Sequence, residues 1–285
     1  MNPIVYHIAS GQAFFTGVVL VLLAALLSLR ESSLARRVMV LSFLVGVILV
    51  AVSSTPLPWW FYGVAGVVTL VWLGTAFQKR WRKRAAEAVV GVWLVGLLLE
   101  VPYHLTPSVG PVSSHSLTVI GDSVTAGLGD EDIETWPRIL SREQDIAVQD
   151  LSHVGDTVAS ARKRVAATEI ESPLVLLEIG GNDILGSTTS AQFKTNLDAL
   201  LTELATPGRQ LVMLELPLPP FYHAYGRIQR ELARKHNVKL VPKRVLLSII
   251  AGGDATLDSI HLSQAGQQNM ADVVWGIIGA GYATE

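Results

Sequence analysis

Two segments of this sequence contain residue types that suit proton transfer from a serine. Asp258 precedes His261 by three residues, so its carboxylate can reach Nδ1 of the imidazole ring. That contact fixes the tautomer and leaves Nε2 free to accept a proton from a serine. Ser123 is a candidate for that serine, because Gly121 and the small residues that follow favour a sharp turn that projects the hydroxyl group.

Two further segments contain neutral hydrogen-bond donors. Gly155 lies in the segment Ser152–Thr157, and its missing side chain permits a close approach in which the backbone N–H points at a substrate oxygen. Asn182 follows two glycines in the segment Glu178–Asp183 and carries a side-chain amide. Neutral donors of this kind suit an oxyanion that forms only in the transition state.

Each of these segments, taken alone, also fits an ordinary structural role. Ser123 can cap the helix that follows it, and Asp156 and Thr157 can cap the next helix. The Gly-Gly-Asn-Asp segment favours a turn. A metal site is a further alternative, although its residues lack a recognised ligand spacing. The residues of that metal site are His153, Asp156, Asp258 and His261.

The elements that must position these segments alternate between strand-like and helix-like patterns. Strands buried on both faces are continuous apolar runs, and β–α alternation predicts a parallel sheet covered by helices. Functional residues of such sheets gather at the carboxyl ends of the strands, where these polar segments fall. Strands are predicted at Leu117–Ile120, Ile146–Asp150, Leu174–Ile179, Gln210–Leu216 and Lys239–Val241. Helices are predicted near Thr135–Glu143, Val158–Thr168, Ala191–Leu204, Tyr225–Asn237 and Gln264–Ile278.

Together the four segments resemble the SGNH (GDSL-type) hydrolase family, over roughly residues 116–280. The thioesterase I/lysophospholipase/arylesterase branch is the most similar part of the family. Val124 replaces the leucine that names the GDSL motif. The family motifs are matched by Gly121-Asp122-Ser123, Gly155, Gly181-Asn182-Asp183 and Asp258-x-x-His261, in that order. The branch is matched by Val154–Thr157, Leu177–Asp183 and the stretch from Leu216-Pro217 to Tyr225-Gly226.

The resemblance implies a flavodoxin-like α/β three-layer sandwich and a serine esterase mechanism. Ser123 would be the nucleophile, His261 the general base, and Asp258 would orient His261. The backbone N–H groups of Ser123 and Gly155, with the side-chain amide of Asn182, would form the oxyanion hole. The family uses neither a metal nor an organic cofactor, so none is expected here.

The composition divides the chain into two parts. Hydrophobic residues make up 50% and charged residues 16%, and the mean hydropathy of +0.41 is too high for a single soluble domain. Residues 1–110 contain 8 Lys/Arg and 3 Asp/Glu, a net charge of +5. The remaining 14 Lys/Arg and 21 Asp/Glu give residues 111–285 a net charge of −7. The absence of cysteine excludes a disulfide-stapled scaffold, and the acidic second part disfavours nucleic-acid binding.

The first part predicts an α-helical transmembrane region of four helices. Lys, Arg, Asp and Glu are absent from residues 1–29, 38–78 and 88–99, and a bilayer core needs about 20 apolar residues per helix. Ser53–Pro58 interrupts the second stretch and predicts a tight turn between two spans. The predicted spans are Ile4–Leu29, Val38–Val52, Trp59–Phe77 and Ala85–Val101. The predicted domains are a membrane region at 1–105, a linker at 106–115 and a hydrolase domain at 116–285.

The positions of the basic residues predict the orientation in the membrane. All eight Lys/Arg of this region lie in the loops after the first and third spans, and basic loops stay cytoplasmic. The N-terminus, the turn at Ser53–Pro58 and everything after Pro102 are then outside. The hydrolase domain is expected on the extracytoplasmic side of the cytoplasmic membrane, which is the periplasm in a Gram-negative cell. The helices are expected to be an anchor, while Glu100 near a helix end favours a lipid-access or partner-binding role.

These expectations combine into a membrane-anchored serine esterase or lipase. A linker of under 15 residues reaches at most about 50 Å, so the substrate is expected at the membrane surface. Phospholipids, lysophospholipids and acylated lipoproteins fit that position. One alternative is an O-acyl (acetyl) esterase or acyltransferase that acts on an envelope glycan, and a non-enzyme alternative is a membrane interaction protein with an inactive hydrolase fold. The expected partners are the lipid bilayer and the acyl-ester substrate, without nucleic acid.

Overall fold

The computed structural model describes residues 1–75, 78–128, 133–258 and 261–283. Contacts divide the chain into two compact units. The helical unit comprises Ile4–His104 together with Leu218–His223. The α/β unit comprises Met1–Pro3, Leu105–Pro217 and Ala224–Glu285. The predicted division at 1–105, 106–115 and 116–285 stays a prediction.

The helical unit consists of apolar helices followed by a short 3-10 turn. The helices are α1 (Pro3–Ala9), α2 (Gln12–Leu27), α3 (Ser33–Val52), α4 (Trp59–Thr75) and α5 (Lys79–Glu100), and the 3-10 turn is Val101–His104. Leu41, Leu44 and Ile48 of α3 are exposed although they are apolar. A helix that is apolar on its outer face as well as its inner face is typical of a membrane span.

The first predicted span is a bent pair of helices in the structure. α1 and α2 meet at an angle of 84°, and Gly11 between them has a φ of +85°, which favours glycine. The bend frees backbone carbonyls, and Ser54 donates to two of them, from its N–H to Ile8 O at 3.1 Å and from its hydroxyl to Ala9 O at 2.6 Å. Ser53 and Ser54, in the connection that was predicted as a tight turn at Ser53–Pro58, are therefore buried, and Ser54 satisfies carbonyls at the bend.

The structure contains fewer candidate spans than the four that were predicted. In the described residues two helices are long and apolar enough to cross a membrane, Ser33–Val52 and Arg80–His104, and the bent pair α1–α2 would make a third. α4 is apolar but has only 17 residues. Phe77, the predicted end of the third span, lies outside the described residues. The prediction of four helical spans is thus not confirmed, whereas two or three candidate spans are.

Five parallel strands form one sheet in the described α/β unit. They are β1 (Ser116–Gly121), β2 (Ala147–Asp150), β3 (Leu174–Glu178), β4 (Gln210–Leu214) and β5 (Lys239–Val241), in the order β2-β1-β3-β4-β5. This confirms the predicted parallel α/β fold, and the order is that of a flavodoxin-like doubly wound sheet. The order reverses between β1 and β3, so a crevice is expected at the carboxyl ends of these two strands.

The helices of the α/β unit include the five that were predicted and three short additional ones. They are α6 (Ser123–Ala126), α7 (Trp136–Gln144), α8 (Val158–Ala166), α9 (Gly181–Leu185), α10 (Ser190–Leu204), α11 (His223–Lys235), α12 (Lys243–Ile250) and α13 (Gln264–Ile278). The short helices α6 and α9 occupy segments that were predicted as turns. α12 was not predicted, because a short apolar run such as Val245–Ile250 cannot be assigned to helix or strand by periodicity alone.

The core of the α/β unit covers both faces of the sheet. Leu117 and Val119 of β1 are fully buried in one cluster with Trp136 of α7 and Met270 of α13. Side chains alternate along a strand, so Ile120 points to the opposite face, and it is fully buried as well. A sheet buried on both faces holds its strand ends rigidly, which matters for any site built there.

The close packing of α2 on α3 leads to a prediction about two glycines. A Cβ at Gly46 would lie 2.8 Å from Gly17 O, whereas a Cβ at Gly66 of α4 would meet nothing within 4 Å. Replacing glycine by alanine favours the helix by about 1 kcal/mol at either position. The two variants therefore differ only in whether the new methyl group meets a neighbouring helix. We expect Gly46→Ala, and not Gly66→Ala, to lower the apparent Tm of the detergent-solubilised chain. Equal Tm values for the two variants would contradict this packing.

Candidate active site

Ser123 follows the end of β1 and is the first residue of α6. A Cβ at Gly121 would lie 2.5 and 2.9 Å from neighbouring side chains, so only glycine fits there. Asp122 Oδ1 accepts a hydrogen bond from the Val124 N–H at 3.1 Å, and the Asp122 N–H donates to Glu178 O at 3.2 Å. The turn is therefore tied to β3, and Ser123 has a fixed position at the carboxyl end of the sheet.

His261 lies in the loop that leads into α13. Its carbonyl accepts a hydrogen bond from the Leu257 N–H at 2.8 Å, and the Ser263 N–H donates to Ala255 O at 3.0 Å. Residues 259–260 of the predicted Asp258-x-x-His261 motif lie outside the described residues. The loop is thus held on both sides of His261 by backbone hydrogen bonds.

The structure brings Ser123, His261 and Asp258 together in one chain of hydrogen bonds. His261 Nε2 lies 3.1 Å from Ser123 Oγ, and His261 Nδ1 lies 2.7 Å from Asp258 Oδ2. Asp258 Oδ1 also accepts a hydrogen bond from the His261 backbone N–H at 2.9 Å, which orients the carboxylate. When Nδ1 donates to the carboxylate, Nε2 is the ring nitrogen that can accept the serine proton. The geometry suits an activated serine, and the individual catalytic roles stay predictions.

The two predicted oxyanion-hole segments are connected directly. Gly155 has a φ of +78°, which favours glycine, in a turn closed by a hydrogen bond from the Asp156 N–H to His153 O at 3.2 Å. Asn182 lies on α9, one residue after its start, and its Nδ2 donates to Asp156 O at 2.9 Å. This hydrogen bond joins the segment after β2 to the segment after β3. Whether Gly155 and Asn182 stabilise an oxyanion stays a prediction.

A pair of buried acids next to Ser123 was not identified from the sequence. Burial raises the pKa of Glu178 well above its usual range, the nearby Asp122 carboxylate raises it further, and the Thr125 hydroxyl donates to Glu178 Oε2 at 2.9 Å. Burial also raises the pKa of Asp122 to about 6, while the Val124 N–H and His261 act in the opposite direction. The available signal was an acidic residue at the end of an otherwise apolar strand.

The alternative roles of the segment after β2 are resolved in part. Thr157 caps α8, because its hydroxyl accepts from the Ser160 N–H at 3.4 Å. Asp156 instead forms an ion pair with Arg164 of α8, a residue that sequence reasoning did not identify. Among the described residues, no group of three or more His, Cys, Asp or Glu side chains is arranged to hold a metal ion. The alternative metal site, which included His153, therefore has no support in its geometry.

Comparison with known proteins identifies the family. A sequence model described as the GDSL-like lipase/acylhydrolase family matches residues 119–268, more than half of the chain. The chain belongs to this family. The match begins in β1 and ends in α13, so it includes all four segments of the candidate site. The resemblance inferred from those segments is thus confirmed.

Named relatives of the hydrolase are esterases and thioesterases. Esterase TesA of Pseudomonas aeruginosa is 30% identical over 177 residues, which cover 57% of this chain and 87% of TesA. Thioesterase 1/protease 1/lysophospholipase L1 of Escherichia coli K12 is 27% identical over 46% of this chain and 67% of the relative. A crystal structure of TesA superposes with a TM-score of 0.51 at 30% identity, over 57% of this chain and 97% of that chain. The hydrolase is therefore a serine carboxylic ester hydrolase, and the alternative of an inactive fold loses its support.

Asn182 is the site residue whose loss is easiest to interpret. We expect Asn182→Ala to lower kcat for a chromogenic short-chain ester by about 10²–10³, because one preorganised oxyanion donor is typically worth that much. Asn196→Ala on α10 is the matched control and should change kcat by less than a factor of two. Wild-type kcat in a folded Asn182→Ala variant would exclude Asn182 from the oxyanion hole.

The raised pKa of Asp122 predicts a pH dependence of stability. Because the pKa lies near 6 in the folded state and near 3.9 in the unfolded state, the folded state binds more protons between about pH 4 and 6. The free energy of unfolding therefore falls as the pH rises through that window, by about 2–3 kcal/mol from this group. We expect Asp122→Asn, which keeps an oxygen acceptor for the Val124 N–H, to lessen this fall.

The measurement is the apparent Tm of the solubilised chain at several pH values. The fall in Tm between pH 4 and 6.5 should be smaller by about 5 °C or more in Asp122→Asn than in the wild type. The exposed substitution Asp145→Asn controls for the loss of one formal charge. Parallel Tm curves for the wild type and Asp122→Asn would show that burial does not perturb Asp122.

Proposed function

We propose that the hydrolase cleaves acyl esters through a covalent acyl-enzyme on Ser123. The observation that carries this proposal is the hydrogen-bonded chain of Asp258, His261 and Ser123, with 3.1 Å between His261 Nε2 and Ser123 Oγ. Nε2 accepts the serine proton while Oγ attacks the ester carbonyl carbon. The His261 cation, which Asp258 stabilises, then donates that proton to the departing alkoxide, and the alcohol leaves.

The second half of the cycle uses the same residues. A water molecule gives a proton to His261 Nε2 and attacks the acyl carbonyl, the bond to Ser123 Oγ breaks, and His261 returns the proton to Oγ. In both halves the N–H groups of Ser123 and Gly155 and the side-chain amide of Asn182 stabilise the tetrahedral oxyanion. The reaction consumes one ester and one water and releases an alcohol and a carboxylic acid.

The proposed substrate is an acyl ester at the extracytoplasmic surface of the cytoplasmic membrane. Phospholipids, lysophospholipids and acylated lipoproteins belong to this class. Support comes from the apolar helices with exposed apolar faces and from the short linker that the sequence predicts after them. One relative carries the name lysophospholipase, which fits the same substrate class.

The proposed membrane topology has four crossings. In this topology the bent pair α1–α2, then α3, α4 and α5 each cross once, and the predicted division at 1–105, 106–115 and 116–285 follows from it. The eight Lys/Arg of residues 1–110 fall in two short segments, Arg30–Arg37 and Lys79–Arg84, which include the first turns of α3 and α5 and which this topology assigns to the cytoplasm. The N-terminus and the hydrolase domain then lie outside.

A substrate comparison tests the proposed function. The purified chain in mixed micelles is incubated with a phospholipid, a lysophospholipid and an acetylated glycan, and released acids are measured by mass spectrometry. We expect fatty acid from the two lipids and a loss of about 10⁴-fold or more in Ser123→Ala, with Ser187→Ala as the exposed serine control. Release of acetate from the glycan without fatty acid from either lipid would favour the glycan esterase alternative.

The orientation is tested separately with reporter fusions. A reporter that is active only in the cytoplasm, fused after the last residue, should be silent, and a reporter active only outside should give full signal. The same reporters fused after Lys83, in the basic first turns of α5, should give the reverse pattern. Cytoplasmic activity of the C-terminal fusion would overturn the proposed localisation without affecting the esterase mechanism.

A further inference from the structure

Arg164 of α8 holds both ends of the segment that carries Gly155. Its Nη1 donates to Leu151 O at 2.9 Å and also contacts Asp156 Oδ2. Its Nη2 donates to Asp156 Oδ1 at 3.3 Å. The planar guanidinium group therefore binds the carboxylate with two nitrogens while it also binds the carbonyl at the start of the segment, which we call the Leu151–Asp156 turn.

Asp156 connects this contact to the second predicted oxyanion donor. Its side chain is 5% exposed and accepts a further hydrogen bond from the Ser160 hydroxyl at 2.9 Å. Its backbone carbonyl accepts from Asn182 Nδ2 at 2.9 Å. The side-chain amide of Asn182 is thus oriented by the backbone of Asp156, and the position of that backbone depends on Arg164.

A separate contact holds α8 in place without Arg164. Asp183 Oδ2 accepts a hydrogen bond from the Val158 N–H at 2.8 Å, which ties the first turn of α8 to α9. Thr157 and Ser160 add a reciprocal cap at the same helix end. Weakening the Arg164 contact is therefore expected to loosen the Leu151–Asp156 turn and to leave the helix docked.

From these contacts we infer that Arg164 is a positioning residue for the oxyanion hole. It fixes the Leu151–Asp156 turn, so that the Gly155 N–H and the Asn182 amide match the tetrahedral intermediate without rearrangement. The inference rests on the proposed roles of Gly155 and Asn182. Arg164 acts through these residues and does not touch the reacting atoms. Donors that meet the oxyanion only in the transition state affect kcat rather than substrate binding, so their misplacement lowers kcat at nearly constant KM.

The test replaces Arg164 by lysine, which keeps the charge and loses the two-nitrogen contact. We expect Arg164→Lys in the full chain to lower kcat for a chromogenic ester about 10–100-fold, with KM within a factor of two, because small displacements at a reacting centre cost up to about 10²-fold. The inhibition constant of an alkylboronic acid, which forms a tetrahedral adduct with the serine, should rise by the same factor. Active sites are counted by fluorophosphonate titration, so that kcat refers to folded, reactive molecules.

Arg162→Lys is the matched control on the same helix. Arg162 forms an exposed ion pair with Glu203 at 2.7 Å and makes no contact with the Leu151–Asp156 turn among the hydrogen bonds of the described residues. The kcat of the Arg162→Lys variant should therefore stay within twofold of the wild-type value. Asp156→Asn is the second variant, used if Arg164→Lys fails to fold, and it should show the same loss of kcat at constant KM.

Two results would overturn the inference. One is a kcat per titrated site within twofold of the wild type in the folded variant. The other is a loss of kcat without the parallel rise in the boronic acid inhibition constant. A wild-type chain that hydrolyses no ester contradicts the proposed function instead, so failure of the inference and failure of the function are distinguishable.

Discussion

The hydrogen bond between Ser123 and His261 joins two residues that are 138 positions apart, and it requires an accuracy of a few tenths of an ångström. That accuracy comes from the ends of a sheet that is buried on both faces, with Ser123 directly after β1. The partner loop is held by backbone hydrogen bonds to Leu257 and Ala255. The order reversal between β1 and β3 matters equally, because it places the turn with Ser123 next to the segment with Asn182.

The α/β fold and the proximity of Ser123, His261 and Asp258 could be predicted because the signals for each segment are local. Apolar runs mark strands, glycines mark turns with special backbone angles, and parallel strands direct their carboxyl ends to one edge. The acid pair of Asp122 and Glu178 left only a weak signal, an acidic residue at the end of an apolar strand, and the contact between Arg164 and Asp156 left none. Such pairs form between elements that only the tertiary structure brings together, and a charged residue on a helix usually lies on a solvated face.

The helical region shows a different limit of prediction. Hydropathy identifies apolar segments, but it does not report how they bend. At the 84° bend near Gly11, the carbonyls of Ile8 and Ala9 accept hydrogen bonds from Ser54, which lies more than 40 residues later in the sequence. In the sequence, the polar residues after α3 indicated only a tight turn between two spans. Serine suits both an aqueous turn and a buried polar contact, and only the contact partner separates the two.

The most direct test of the account is the site of covalent labelling by a fluorophosphonate. The reagent forms a stable phosphonyl ester with a serine only if a base accepts the hydroxyl proton and donors stabilise the charged oxygen. Peptide mass spectrometry of the labelled full chain should place a single adduct on Ser123, and the labelling rate should fall sharply in His261→Gln. An adduct on another serine, or an unchanged rate in His261→Gln, would contradict the assignment of Ser123 and His261 as the reactive pair.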